Sequence, residues 1–402
     1  MSEQGSPFEG DTLSFHISRI PQLMLGENIL LRLPGILKER GYAKTALITG
    51  GSSYTASSYR LKFERELQNA GIAARRFSVS GEPSPEIVDG IRDTCADTGI
   101  FSVISIGGGS VIDTGKAVAA MLKHPGSVKD YLEGVGRKKP SGSRVPFTAV
   151  PATSGTGSEA TRNAVMSETG TEGYKKSLRH EGFVPDIAVL DPVVSSSCPP
   201  DISAAAGMDA ITQLLEAYVS TGASPFTDAL AIDGLRRAAW ALPRVVLDGS
   251  NLKARIQMAY AAYLSGIVLA NAGLGIVHGA ASPAGALRVI PHGVVCGTLL
   301  PSATEEIVGL LRAGGAETEK ILKKYSAAAA AVTGTDAGGH TANCERLVEQ
   351  LYEWVEKFNI PRLSDYGFSG EDLRNISMKS SLKGTPVKLS REQIYQIMLR
   401  RL

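Results

Sequence analysis

From residue 26 to 120 the spacing of apolar positions switches back and forth between two periods. Leucines recur at helical spacing from Asn28 to Arg40, and Lys44–Thr49 is a short apolar strand. Ser58–Ala70 then reads as an amphipathic helix, Ala73–Ser78 as a strand, Ser84–Thr98 as a helix and Phe101–Ile106 as a strand. Val145–Val150 and Asp186–Leu190 add two further strands. Such alternation predicts a mostly parallel sheet with helices on both faces. After the Val194–Pro200 stretch the texture changes, and long alanine- and leucine-rich segments run to residue 402, broken by Gly and Pro and by a Gly334–His340 loop. The alanine run at 327–331 reads as helix. The pattern therefore predicts an α/β domain over 1–199 and an all-helical domain over 200–402.

One junction stands out. Val103–Ile106 leads into Gly107-Gly108-Gly109-Ser110 and then a helical pattern carrying Asp113 and Lys116, a strand, tight turn and helix. Glycines there let a ligand approach the main chain, and the free N–H groups of the following helix favour an anion. The turn reads as a phosphate cradle or as a plain connection. Ser110 and Ala117 exclude a Walker loop, and Ile112 stands where a G-x-G-x-x-G fingerprint needs its third glycine. Gly50-Gly51-Ser52-Ser53 ends an earlier strand, a place where ribose is commonly read, although by itself a turn explains it. Pro151–Ala160 adds a second glycine and hydroxyl cluster with Thr153, Ser154, Thr156 and Ser158. Lys175 and Lys176 read as solvated surface.

Composition narrows the class. With 402 residues, 43% hydrophobic, 20% charged and a net charge of +2, the chain is an ordinary globular one. Its scattered cations give no footprint for nucleic acid or a membrane surface. The N-terminus, MSEQGSPFEGDTLSFHIS, lacks the apolar core of a signal peptide, which predicts a cytoplasmic protein. Cys95, Cys198, Cys296 and Cys344 form no C-x-x-C pair, so neither a disulfide framework nor a cysteine zinc site is expected.

Only six histidines are present. Asp209 and Gln213 share a helical face at i, i+4, while His278 and His292 lie in GLGIVHGAASPAG and IPHG. Together they could hold a divalent transition metal, or serve as polar groups in helix packing.

The stretches GGGSVIDTGKA, PATSGTGSEATR, GMDAITQLLEAY and HGAASPAGALRVIPHG, in this order, resemble the iron-containing (group III) alcohol dehydrogenases from about Ile20 to the C-terminus. The resemblance implies a dehydroquinate synthase-like architecture, a Rossmann-like parallel sheet followed by a helical domain. It also implies NAD(P)-dependent hydride transfer on a small alcohol or aldehyde in the interdomain cleft. Carried onto this chain, Gly107, Gly108, Gly109, Ser110 and Asp113 would serve the pyrophosphate turn, and Gly50, Gly51 and Ser52 the ribose. Thr153, Ser154, Thr156 and Ser158 would line the nicotinamide side and Lys175 would contact the cofactor. Asp209, Gln213, His278 and His292 would form the metal shell for Fe²⁺ or Zn²⁺, with Asp209, His278 and His292 catalytic.

Two departures from the family pattern matter. Gln213 stands where a metal-binding histidine is expected, and Ser282 where a histidine often sits near the substrate. An amide donates less to a metal than imidazole, so a metal-free reductase of the maleylacetate reductase type, or a cofactor-binding protein without turnover, are the alternatives. A dehydroquinate synthase-type lyase would need several basic residues between 209 and 292, and few are there. With Ser282 in place of that histidine, a water chain, a ribose hydroxyl or His180 would move the proton. Members of this family that prefer NAD carry aspartate at the position of Gly50, so its absence favours NADP, with Arg60 the nearest candidate cation. Asn163, Leu274 and Ser282 are expected in the substrate cleft, and the family's strand pairing implies a homodimer.

Overall fold

A computed structural model describes residues 14–170 and 173–402. Most of the polar N-terminal stretch, residues 1–13, lies outside the described residues. The first half runs β1 (Gln22–Leu25), α1 (Leu33–Glu39), β2 (Lys44–Gly50), α2 (Ser52–Thr55), α3 (Arg60–Asn69), β3 (Ala73–Val79), α4 (Pro85–Cys95), β4 (Ser102–Gly107), α5 (Gly109–Met121), β5 (Phe147–Pro151), β6 (Asn163–Glu168), β7 (Tyr174–Arg179), β8 (Ile187–Leu190) and α6 (Pro192–Ser195). Six of the strands form one parallel sheet in the order β1-β8-β5-β4-β2-β3.

Burial explains the order. β4, β5 and β8 are buried at every residue and take the interior of the sheet, as continuous apolar runs must when helices cover both faces. β3 (AARRFSV) exposes its arginines and lies at one edge, and the four-residue β1 lies at the other. Each strand expected from the periodicity is present to within a residue or two. The 28–40 segment is not one helix: Asn28 takes φ 56°, a 3₁₀ turn covers Ile29–Arg32, and α1 begins only at Leu33 with Pro34 in its first turn. β1 and the antiparallel hairpin β6–β7 were not anticipated. Lys175 and Lys176 lie within that hairpin, which is fastened to α5 where Val165 N–H donates to Asp113 Oδ2 at 2.9 Å.

Beyond β8 the chain is helical: α7 (Pro200–Val219), α8 (Pro225–Leu247), α9 (Leu252–Ala272), α10 (Ile276–Leu287), α11 (His292–Ala313), α12 (Glu319–Thr333), α13 (His340–Lys357), α14 (Gly370–Lys379) and α15 (Arg391–Leu399). α7 is buried almost all round, which makes it the central helix of this half. α11 is long and apolar enough to cross a bilayer, yet 78% of its apolar window is buried inside the protein. The two halves touch backbone to backbone. Gly157 adopts φ 62°, and a Cβ there would lie 2.5 Å from the Gly266 Cα of α9. The seam therefore requires glycine at 157.

Candidate active site

The carboxyl ends of β2, β4 and β5 are adjacent in the sheet, so the three turns that follow them converge. They open on a cleft of about 1270 Å³ whose far wall is helical. Gly50, Gly51, Ser52 and Ser53 line it at one end, Gly108, Gly109, Ser110 and Asp113 in the middle, and Thr153, Thr156, Ser158 and Lys175 beyond. The first N–H groups of α5, at Gly109 and Ser110, precede any intrahelical partner and face this space. A Cβ at 109 would meet Thr156 Cγ2 at 2.6 Å, so only glycine lets the two loops sit this close.

Three candidates from the sequence take different places. Gly107 does not line the cleft; it sits beneath the turn, where a Cβ would meet Val111 Cβ at 2.6 Å. Ser154 is buried and also absent from the lining, because the loop turns Thr153 and Thr156 to the cleft instead. Asp113 borders the cleft, but its Oδ2 holds the hairpin and Lys116 Nζ lies 3.9 Å from its Oδ1. Burial raises the Asp113 carboxyl above the usual range, against the lowering effect of Lys116. Lys175 is no solvated surface residue: it lines the cleft and its Nζ donates to Glu82 Oε2 at 2.9 Å.

On the helical side Asp209 and Gln213 of α7, His278 and Ser282 of α10, and His292 at the start of α11 reach the same cleft, as do Asn163 and Leu274. His278 Nε2 stands 3.3 Å and His292 Nε2 3.8 Å from Asp209 Oδ1. That oxygen is buried and makes no hydrogen bond among the described residues. The ring of His278 is set from behind: its Nδ1 lies 2.7 Å from Glu216 Oε2, while Glu216 Oε1 accepts from Val277 N–H at 2.7 Å. With Nδ1 engaged by the Glu216 carboxylate, Nε2 is the ring nitrogen turned to Asp209.

Cys296, four residues into the same helix as His292, places its Sγ 3.6 Å from Nε2 of each histidine. Asp209, His278, His292 and Cys296 each offer one ligand atom, and these atoms lie within 4.8 Å of one another. The spacing of the cysteines along the chain gives no sign of this neighbourhood, which brings Cys296 beside the three residues expected from the sequence. Burial alone would raise the Asp209 carboxyl, but the His292 and His278 rings hold it down at about 2. Burial also lowers His292 to about 4 and pushes the Cys296 thiol up to about 12. A buried carboxylate beside a neutral imidazole is a donor set suited to a divalent cation.

Gln213 turns its amide oxygen to the Ser265 hydroxyl at 2.6 Å. His180 does not line the cleft; its Nδ1 accepts from Gly182 N–H at 3.0 Å, so it caps a turn and is no proton relay. Arg60 pairs with Glu64 at 3.6 Å and does not reach the Gly50 turn. Glu216 escaped the sequence reading although it stands two helical turns after Asp209 on the same face.

Two family models cover almost the whole chain: "Iron-containing alcohol dehydrogenase" over residues 21–192, and "Fe-containing alcohol dehydrogenase family, C-terminal" over 203–402. The chain belongs to the iron-containing alcohol dehydrogenase family. Among curated relatives, "Alcohol dehydrogenase 4" of Saccharomyces cerevisiae (strain YJM789) is 31% identical over 385 residues, covering 94% of this chain and 96% of that one. The "NAD-dependent methanol dehydrogenase" of Bacillus methanolicus is 30% identical over 369 residues, covering 89% and 91%. The crystal structure of a 1,3-propanediol oxidoreductase superposes with a TM-score of 0.86 at 28% identity, covering 97% of this chain and 100% of that one. As a member of the iron-containing alcohol dehydrogenases, the protein is a nicotinamide-dependent oxidoreductase acting on an alcohol or its aldehyde.

Proposed function

We propose that the chain transfers hydride reversibly between nicotinamide C4 and a small primary or secondary alcohol or its carbonyl form, with Fe²⁺ or Zn²⁺ held by Asp209, His278 and His292 and flanked by Gln213. One observation carries the metal: Asp209 Oδ1 is buried, makes no hydrogen bond among the described residues, and faces the Nε2 atoms of two histidines. A divalent metal bound there would supply Lewis-acid polarisation of the alcohol or carbonyl oxygen.

The chain's own groups supply position. The N–H groups of Gly109 and Ser110 at the α5 N-terminus, with the Ser110 hydroxyl, would hold the pyrophosphate, and Gly108 gives it room. The hydroxyls of Thr153, Thr156 and Ser158 would orient the nicotinamide amide, with the Lys175 ammonium beside it. Glu216 fixes the His278 ring so that its Nε2 stays turned to the cleft. Ser282 lines the cleft and donates to Lys175 O at 3.4 Å, so protons would pass through a water chain or a ribose hydroxyl.

NADP(H) would be accepted at least as well as NAD(H). The turn after β2 presents Gly50, Gly51, Ser52 and Ser53 to the cleft and no carboxylate that would repel a 2′-phosphate. The proposed division between the two domains, at residues 199 and 200, is supported by the start of the long helix α7 at Pro200. A homodimer completes the proposal; among the described residues β1 pairs on one side only, and its open outer edge supports it.

Aldehyde-dependent oxidation of NADPH, followed with and without added Fe²⁺, Zn²⁺ or Mn²⁺, tests the reading. Metal-stimulated oxidation across a panel of short aldehydes is the expected result. Tight NADPH binding with no oxidation of it under any metal would overturn it in favour of a binding protein.

A further inference from the structure

We infer that Cys296 is a metal ligand of this enzyme, so that the shell is Asp209–His278–His292–Cys296, a thiolate taking the place of the imidazole that the chain lacks at position 213. The inference rests on the metal-assisted reading above and adds which of the chain's own atoms complete the shell.

Three observations carry it. Sγ is 3.6 Å from both His278 Nε2 and His292 Nε2, and the four ligand atoms lie within 4.8 Å of one another, so one ion could touch them all. The group is aimed: Asp209 Oδ1 is buried without a hydrogen-bond partner among the described residues, and Glu216 leaves His278 only its Nε2 to offer. Gln213, the alternative fourth ligand, has its amide oxygen occupied by Ser265 Oγ–H at 2.6 Å. Turning that oxygen into the cleft would break the bond, whereas the Cys296 Sγ already stands among the other ligand atoms.

The local fold explains why sulfur can stand in. His292 and Cys296 are i and i+4 on α11, so both point to one face, one turn apart. Coordination forms a sulfur–metal bond and releases the thiol proton to solvent, as metal binding by cysteine requires. A soft thiolate beside two imidazoles and one carboxylate shifts selectivity toward Zn²⁺ relative to an all-imidazole and carboxylate shell.

Cobalt reads the ligand directly, because a thiolate on Co²⁺ gives an intense near-ultraviolet charge-transfer absorption that nitrogen and oxygen ligands do not. The full chain, stripped with a chelator and loaded with one equivalent of Co²⁺, should show that absorption. Cys296→Ser should lose the band and bind the metal at least about tenfold more weakly, a cost that even groups supporting a ligand carry. Gln213→Ala should keep both band and affinity. Retention of Co²⁺ by the parent without the band would overturn the sulfur assignment and leave the metal reading standing. Failure of the parent to retain Co²⁺ at all would overturn both. Should Cys296→Ser fold poorly, the band of the parent and its survival in Gln213→Ala still decide.

Discussion

The Lys116 ammonium of α5 donates to the main-chain oxygen of Ser158 at 2.8 Å. It also donates to Thr161 Oγ1 at 3.0 Å and to Asn163 O at 2.8 Å, with no part of the side chain exposed. The helix that starts at the first glycine turn thus holds the second glycine loop against it.

Replacing that lysine should loosen the cradle without touching the helical side. In Lys116→Met two main-chain oxygens lose their donor and buried Asp113 loses its nearest cation, a class of change that costs about 3 kcal/mol or more. The expected outcome is a lowered melting temperature and an NADPH Kd raised roughly tenfold, equivalent to about 1.4 kcal/mol. Calorimetric titration with NADPH below the new melting temperature checks it; an unchanged Kd would show that the loop holds itself.

Glu159 gives a pH signature in stability. It is 2% exposed, and burial pushes its carboxyl from 4.5 up to about 7, opposed in part by Lys116. Between those values the folded chain binds more protons than the unfolded one, so its stability falls as pH rises through this window. Glu159→Gln should remove that fall, gaining about 3 kcal/mol over the parent above pH 7 and little below pH 4.5. Thermal denaturation of both proteins at the two ends of the window measures it, and parallel curves would refute the assignment.

Much of this was legible because strand and helix differ in period, and the glycine turns lie at the ends of strands whose apolar runs are unambiguous. The hairpin was not, since YKKSLR carries cations on a surface of the cleft where alternation with apolar residues is lost. Ser154 was placed with its neighbours because a sequence of hydroxyls does not say which of them a loop turns inward. Cys296 was passed over for a different reason: cysteine spacing along the chain reveals sites made by one segment, whereas this cluster is assembled from α7, α10 and α11.

Cofactor choice should respond to one charge. A Cβ at position 50 would lie 2.5 Å from Ser53 Oγ, so an introduced side chain displaces that hydroxyl by a rotamer change. Gly50→Asp should move the ratio of kcat/KM values toward NAD by about 10- to 100-fold, the ~1–3 kcal/mol of a partly screened repulsion. Gly50→Asn has the same shape without the charge and should move it far less. Equal shifts in both variants would mean crowding, and no shift in either would mean that this turn does not read the ribose.

The claim that the helical cluster performs the chemistry while the glycine turns only hold the cofactor is tested most directly by His278→Ala and His292→Ala. Steady-state aldehyde reduction and NADPH binding are to be measured on the same preparations. Loss of kcat by about 10³-fold in each, the several kcal/mol expected of Lewis-acid assistance, with NADPH Kd within about twofold of the parent, is the result predicted. Parental turnover in both variants would contradict it.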